Sequence, residues 1–63
     1  MPVVEVKLTA GRTDQQKEKI IAGITEVLVD ALNVRPEQVT VLLYDIPKQH
    51  WGLQGKSLTK LSL

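Results

Sequence analysis

The sequence contains no cysteine, only one histidine, and no apolar run near the ~20 residues that a membrane-spanning helix needs. Disulfides are therefore excluded, and with His50 as the sole histidine a zinc site is nearly excluded as well. Glu5 and Lys7 interrupt the first apolar residues, so the amino terminus does not resemble a signal peptide. We expect a cytoplasmic protein that uses no metal or other cofactor.

An excess of charge of one sign is also missing. Eight Lys and Arg against seven Asp and Glu leave a net charge of +1, far from the basic footprint of a nucleic-acid-binding protein. We expect neither a nucleic-acid nor a membrane partner. The chain, 63 residues long, suits a single domain spanning residues 1–63, and such a short chain buries only ~60% of its unfolded surface. Oligomerisation is the remaining common way to reinforce it.

Two patterns at the start of the chain predict a strand followed by a helix. Residues 3–8 alternate between apolar Val4, Val6 and Leu8 on one face and Val3, Glu5 and Lys7 on the other, as in a half-buried strand. Thr13 and Gln16 then form a capping-box pattern that predicts a helix from about Asp14. Asn33 suits a left-handed C-terminal cap, and Pro36 forbids continuation. A single apolar stripe joins these ends: Ile20, Ile21, Ile24, Val27, Leu28, Ala31 and Leu32.

The second half of the chain predicts another strand and a short tail. Residues 39–46 are apolar on both faces apart from Thr40 and Asp45, which is typical of a sheet interior. We expect an α+β fold, a short β-α-β unit with parallel strands plus a C-terminal hairpin or arm. Because two strands and one helix cannot enclose a core, the unit should dimerise into a four-stranded sheet.

Few residues in the sequence can carry chemistry. The tail segment GLQGKS lacks the spacing and the following helix of a phosphate-binding loop. His50 has no partner for a triad or a metal site, so a solvated or packing histidine is the better interpretation. Pro2 becomes a secondary amine, a base and nucleophile, if Met1 is removed. Arg12 precedes the helix start, where its guanidinium and free N–H groups suit a carboxylate, although a solvated loop residue is the plainer interpretation.

The spacing of Pro2 and Arg12 constrains any shared site. Pro2 and Thr9 are seven strand steps apart, roughly 23 Å at ~3.3 Å per step. A site that uses both Pro2 and Arg12 must therefore lie between subunits. An apolar pocket and a neighbouring guanidinium both lower the pKa of an ammonium group, which favours a neutral proline amine as base.

Several short motifs, in order, carry a family resemblance. Pro2 after the initiator Met, GRT at residues 11–13, the DQQK helix start and HWG at residues 50–52 together resemble the 4-oxalocrotonate tautomerase family over essentially the whole chain. The resemblance implies an isomerase of aromatic catabolism that ketonises a dienol such as 2-hydroxymuconate. It also implies a homo-oligomer of β-α-β units, a hexamer built as a trimer of dimers, with a hetero-oligomer as the alternative.

The resemblance also assigns roles to residues. Pro2 is the general base and acid, Arg12 binds the distal carboxylate of a small enol or keto acid, and Trp51 stands where the family has an aromatic wall. Packing is the structural alternative for Trp51. The family's second substrate arginine falls on Thr40, whose hydroxyl cannot replace a guanidinium.

The departure at Thr40 leaves alternatives open. Arg35, Lys48 or a lysine of another subunit could compensate, a different subunit could supply the arginine, or the substrate could be a monocarboxylate. The proline could also serve hydration, dehalogenation or decarboxylation of a small unsaturated acid. A non-catalytic oligomer follows if Met1 is retained and blocks Pro2.

Overall fold

A computed structural model describes residues 1–63. The first strand, β1, spans Val3–Thr9, one residue longer than the alternation predicts. Val4, Val6 and Leu8 are half-buried, whereas Val3, Glu5 and Lys7 are exposed. The period of two in the sequence therefore separates a covered face of the strand from an open one.

The long helix, α1, spans Asp14–Leu32 and has both predicted caps. The Gln16 amide donates to the Thr13 hydroxyl at 3.1 Å, and the Thr13 amide donates to the Gln16 side chain at 3.0 Å. At the other end, Asn33 adopts the left-handed conformation with φ of 56° and donates its N–H to the Val29 carbonyl. Local side-chain chemistry thus sets the helix bounds.

The apolar stripe of α1 is covered only in part. Ile20, Ile21, Ile24 and Leu28 are half-buried. The remaining members of the stripe, Val27, Ala31 and Leu32, are exposed in the protomer. A sheet of two strands, ~4.8 Å apart, is too narrow to cover a stripe of this width.

The second strand, β2, spans Thr40–Ile46 and follows a 3₁₀ turn at Pro36–Gln38. It begins one residue later than the sequence predicts. β1 and β2 pair in parallel, with Val3 opposite Thr40 at one end and Thr9 opposite Ile46 at the other. This register confirms the predicted β-α-β unit.

The tail forms the hairpin that was one of its two predicted states. After a 3₁₀ turn at Lys48–His50, β3 (Gly52–Leu53) pairs antiparallel with β4 (Lys56–Ser57). Gln54 and Gly55 both have positive φ, the requirement of a two-residue hairpin turn whose twist matches its strands. A short helix, α2 (Leu58–Leu61), ends the fold, and the Leu58 amide donates to the Trp51 carbonyl at 2.9 Å.

One face of the two-stranded sheet lies open. Register partners in a parallel pair share a face, so Val3, Leu42 and Tyr44 lie together on the side opposite the half-buried Val4, Val6 and Leu8. Their exposed fractions are 59%, 42% and 40%. The prediction that β2 is covered on both faces is therefore wrong for the protomer alone, because its single helix shields only one face.

The protomer is too thin to enclose a core. Leu58 is its only buried residue, and its accessible surface is 4964 Å². A compact monomer of this mass would expose about 4,000 Å². The radius of gyration is 14.8 Å, against about 11 Å for a compact domain of this length. The excess of about 900 Å² is close to the ~800 Å² that each partner contributes to a standard interface. None of the helices is both long and apolar enough to cross a membrane.

The open face provides a test of assembly. We expect Leu42→Glu to dissociate the oligomer, because the substitution places an unpaired carboxylate in the middle of the apolar surface that a second chain would cover. Native mass spectrometry and sedimentation measure the size, and Gln15→Glu on the exposed side of α1 is the matched control. An assembly of unchanged size in Leu42→Glu would contradict a role for this face.

Candidate active site

The structure brings Pro2 and Thr40 together at the amino end of the sheet. Pro2 comes directly before β1, Thr40 opens β2, and the Thr40 amide donates to the Pro2 carbonyl at 3.0 Å. Both residues are half-buried, whereas Met1 beyond them is 85% exposed. Thr40 is thus a direct neighbour of the proline. The parallel strands predicted from the sequence put both residues at the same end of the sheet, and the register brings them into hydrogen-bond contact.

Arg12 lies at the opposite end of the sheet, in the loop between β1 and α1. The Ala10 amide donates to the Ile46 carbonyl at 2.9 Å, and Gly11 turns the chain with φ of 120°, a conformation that side chains other than glycine rarely adopt. The exposed Arg12 guanidinium donates only to the Thr9 hydroxyl, at 3.4 Å. It takes part in neither of the two ion pairs of the protomer. The guanidinium is therefore available to an anion.

Pro2 and Arg12 cannot meet within one protomer. The parallel register runs without a break from the Val3–Thr40 pair to the Thr9–Ile46 pair. From Pro2 to Thr9 the strand spans roughly 23 Å, and Arg12 lies beyond Thr9 in the loop. A site that contains both must draw them from different copies of the chain.

Trp51 lines a pocket on the open face, near the carboxyl end of the sheet. The cavity has a volume of about 320 Å³, and its walls are formed by Lys7, Ile46, His50, Trp51 and Gly52. Trp51 is half-buried, and its backbone is held at both ends, by hydrogen bonds to the Lys48 carbonyl at 3.3 Å and from the Leu58 amide at 2.9 Å. The C-terminal hairpin thus holds an aromatic ring over the end of the sheet.

Two of the pocket residues were not assigned a role by the sequence analysis. His50 is exposed and borders the pocket, which agrees with a solvated histidine and also places it beside Trp51. Lys7 was expected only as part of the exposed face of β1. The alternation pattern was the available signal for Lys7, but it does not show that Lys7 and Trp51 line the same pocket.

A polar trio occupies the centre of the open face. The Tyr44 hydroxyl donates to a Glu5 carboxylate oxygen at 2.7 Å, and the Lys7 ammonium lies 5.8 Å from the centre of the Tyr44 ring. The hydrogen bond to Glu5 raises the pKa of Tyr44 above 10.0, and desolvation and the negative charge of Glu5 act in the same direction. The Glu5 carboxylate is therefore already hydrogen-bonded to Tyr44. Away from this face, Lys17 of α1 forms an ion pair with Asp45.

The Tyr44–Glu5 contact predicts a spectroscopic pH dependence. The folded chain favours the neutral phenol, so the contact stabilises the fold below the ordinary tyrosine pKa of 10.0 and is lost as pH rises through the higher folded value. We expect Glu5→Gln to lower the pKa of Tyr44 towards 10.0. Tyrosinate absorbance measures it directly, because Tyr44 is the only tyrosine. Glu37→Gln is the control, and an equal pKa in Glu5→Gln and wild type would refute the contact.

These residues support acid–base chemistry on an anionic substrate. No group of three or more His, Cys, Asp or Glu residues lies together as a metal site would require. The protomer instead offers a half-buried proline at one end of the sheet, and an unpaired guanidinium and an aromatic-walled pocket at the other. If Met1 is removed and two copies bring these ends together, a basic amine and a carboxylate-binding cation flank an apolar surface.

Comparison with known proteins agrees with this description. Residues 2–61 match the family model described as tautomerase enzyme. A tautomerase is an isomerase that relocates a proton and a double bond, so the class of the protein is that of an isomerase. The chain belongs to the tautomerase family, and its relatives confirm the 4-oxalocrotonate tautomerase branch that the motifs predicted.

Individual relatives are similar over nearly the whole chain. The 2-hydroxymuconate tautomerase of Pseudomonas sp. strain CF600 is 36% identical over 61 residues, which cover 97% of both chains. A solved 4-oxalocrotonate tautomerase isozyme of Methylibium petroleiphilum is 34% identical, with a TM-score of 0.92 over 97% of this chain and 95% of the other. A fused 4-oxalocrotonate tautomerase, described as an asymmetric trimer, is 38% identical, with a TM-score of 0.88 over 95% of this chain and 50% of its own.

Proposed function

We propose that the chain ketonises a 2-hydroxydienoate such as 2-hydroxymuconate, with Pro2 as general base and acid after removal of Met1. The observation that carries this proposal is the position of Pro2, half-buried beside Thr40 at the start of β1, in a tautomerase similar over 97% of its length to a 2-hydroxymuconate tautomerase. A free terminal amine is better suited to act as a base near pH 7 than a lysine, because the pKa of an α-amino group is ~8 and that of lysine is ~10.4.

The reaction needs no net input of atoms or electrons. The neutral Pro2 amine takes the proton of the substrate's enol hydroxyl, and the resulting dienolate carries negative charge along its conjugated chain. The protonated amine then returns a proton to a carbon of that chain, which gives the conjugated keto acid. A base of this kind must be neutral near pH 7 and within hydrogen-bond reach of the proton.

Arg12 and Trp51 complete the proposed site from another copy of the chain. The Arg12 guanidinium binds the distal carboxylate and stabilises the negative charge that develops towards it, an effect that is strong where water is excluded. Trp51 forms the apolar wall of the pocket that excludes this water. The separation of Pro2 and Arg12 along β1 is what makes the second copy necessary.

We propose a homo-oligomer in which six copies form three dimers. One support is the apolar surface that the protomer leaves exposed. The other is the fused relative, a protein described as a trimer whose chain is about twice as long as this one. Three such double-length chains contain six units. A hetero-oligomer that supplies a second arginine is the alternative, and the absence of an arginine at Thr40 is the observation that favours it.

The proline mechanism predicts a large effect of one substitution. We expect Pro2→Ala to lower kcat for 2-hydroxymuconate at least ~100-fold, the usual contribution of a positioned acid–base group, because a primary amine differs in basicity and geometry. Pro36→Ala, in the 3₁₀ turn before β2, is the matched control. Intact mass must show loss of Met1 in the active protein. Full activity in Pro2→Ala, or in a protein that retains Met1, would exclude proline catalysis.

The intersubunit site predicts complementation between two inactive variants. We expect Arg12→Ala to raise KM and lower kcat/KM about 10- to 100-fold, since it removes a charged hydrogen bond to the substrate. Lys19→Ala, an exposed cation of α1, is the charge control. When Pro2→Ala and Arg12→Ala chains are co-refolded, some sites combine an intact Pro2 with an intact Arg12, and activity returns. A mixture no more active than its components would place both residues in sites formed by one chain.

A further inference from the structure

The pocket beside Trp51 contains a cation that the proposed mechanism does not use. Lys7 lines this pocket from the open face of β1. It takes part in neither ion pair of the protomer, and its ammonium lies 5.8 Å from the centre of the Tyr44 ring. Glu5, the acidic residue on the same face, accepts a hydrogen bond from the Tyr44 hydroxyl and does not line the pocket. The Lys7 ammonium is therefore free to bind an anion.

Three other cations are less well placed than Lys7 to bind a carboxylate in this pocket. Arg35 lies 3.9 Å from Glu37 on an exposed turn, and Lys48 stands on the turn before Trp51 without lining the pocket. Lys17 is paired with Asp45 beneath the opposite face of the sheet. Among the cations near the two ends of the sheet, only Lys7 combines a place in the cavity with the absence of a carboxylate partner.

The size and lining of the pocket indicate which chemical group is attached to the bound carboxylate. Its volume of about 320 Å³ lies within the range of small-molecule sites, and Trp51 and Ile46 form an apolar surface beside the ammonium. A flat conjugated chain can stack on the indole while its carboxylate reaches the lysine. His50 and Gly52 form the remaining wall.

We infer that Lys7 is a substrate-binding residue, which holds a carboxylate of a planar unsaturated acid stacked on Trp51 and supplies the positive charge that Thr40 lacks. The inference deepens the proposed function and rests on it for the identity of the acid. Lys7 lies five strand steps from Pro2 of its own chain, roughly 17 Å, so the proline that serves this pocket belongs to another copy.

Binding can be measured without catalysis, because Trp51 is the only tryptophan and its fluorescence reports occupation of the pocket. The probes are muconate, sorbate and sorbamide, which share a conjugated chain and carry two, one and no carboxylates. We expect Lys7→Met to weaken binding of both acids about 10-fold and to leave sorbamide unchanged, since one charged hydrogen bond is lost and the pocket keeps its shape. Lys7→Arg should restore binding of the acids.

Two controls make the outcome decisive. Lys19→Met removes an exposed lysine of α1, and Lys48→Met tests the neighbouring cation of the hairpin segment. The inference is overturned if Lys7→Met binds the acids as tightly as wild type, or if its affinity for sorbamide falls as much as its affinity for the acids. It is also overturned if Lys48→Met shows the same selective loss of affinity for the acids. Native mass spectrometry of each variant identifies any change of assembly.

The binding titration separates this inference from the proposed function. If Pro2→Ala keeps full tautomerase activity while Lys7→Met selectively loses the acids, the proline mechanism fails and the carboxylate subsite stands. If Pro2→Ala is inactive while Lys7→Met binds and turns over the acids normally, the mechanism stands and the role of Lys7 is overturned.

Discussion

The scarcity of buried surface in one protomer is the constraint on which the rest of the molecule depends. A single helix covers one face of a two-stranded sheet, and only Leu58 is buried. The hydrophobic effect is proportional to the apolar area removed from water, so a protomer that leaves Val3, Leu42 and Tyr44 exposed forgoes much of the available stabilisation. Folding and assembly are expected to be one process, in which the second chain supplies the missing layer.

The same constraint explains where the chemistry lies. In a parallel β-α-β unit both strands run in the same direction, so Pro2 and Thr40 gather at one end, and Trp51 and the loop of Arg12 at the other. A chain of this size cannot bring the two ends of its sheet together. The proposed site therefore uses the assembly interface itself, and loss of assembly would remove both stability and activity.

In our proposal, the open face supplies the carboxylate-binding cation that Thr40 does not. Thr40 leaves the neighbourhood of Pro2 without a guanidinium, while Lys7 at the far end of the strand has no carboxylate partner. Tyr44 is part of this arrangement, because its hydroxyl occupies the Glu5 carboxylate. In our proposal, Lys7 supplies the positive charge that Thr40 lacks. The Pro2 that acts beside this Lys7 belongs to a different subunit.

Short-range signals in the sequence were enough to predict most of the fold. The capping box at Thr13, the left-handed cap at Asn33 and the alternation of β1 are set by neighbouring residues, and each was confirmed. The exposure of Val27, Ala31 and Leu32 in the protomer was not predictable from their helical spacing, because it depends on the width of the sheet beneath them. The cytoplasmic location and the role in aromatic catabolism stay predictions.

For the site, the sequence by itself determined which residues have useful chemistry: a proline behind Met1, an arginine at a helix start, and one tryptophan after a histidine. Only the tertiary structure decided which of them are neighbours. It placed Thr40 beside Pro2 and brought Lys7 and Trp51 to the walls of one pocket. The reason is physical, since side-chain chemistry is local, whereas proximity follows from strand register and from the turn that leads from β2 to Trp51.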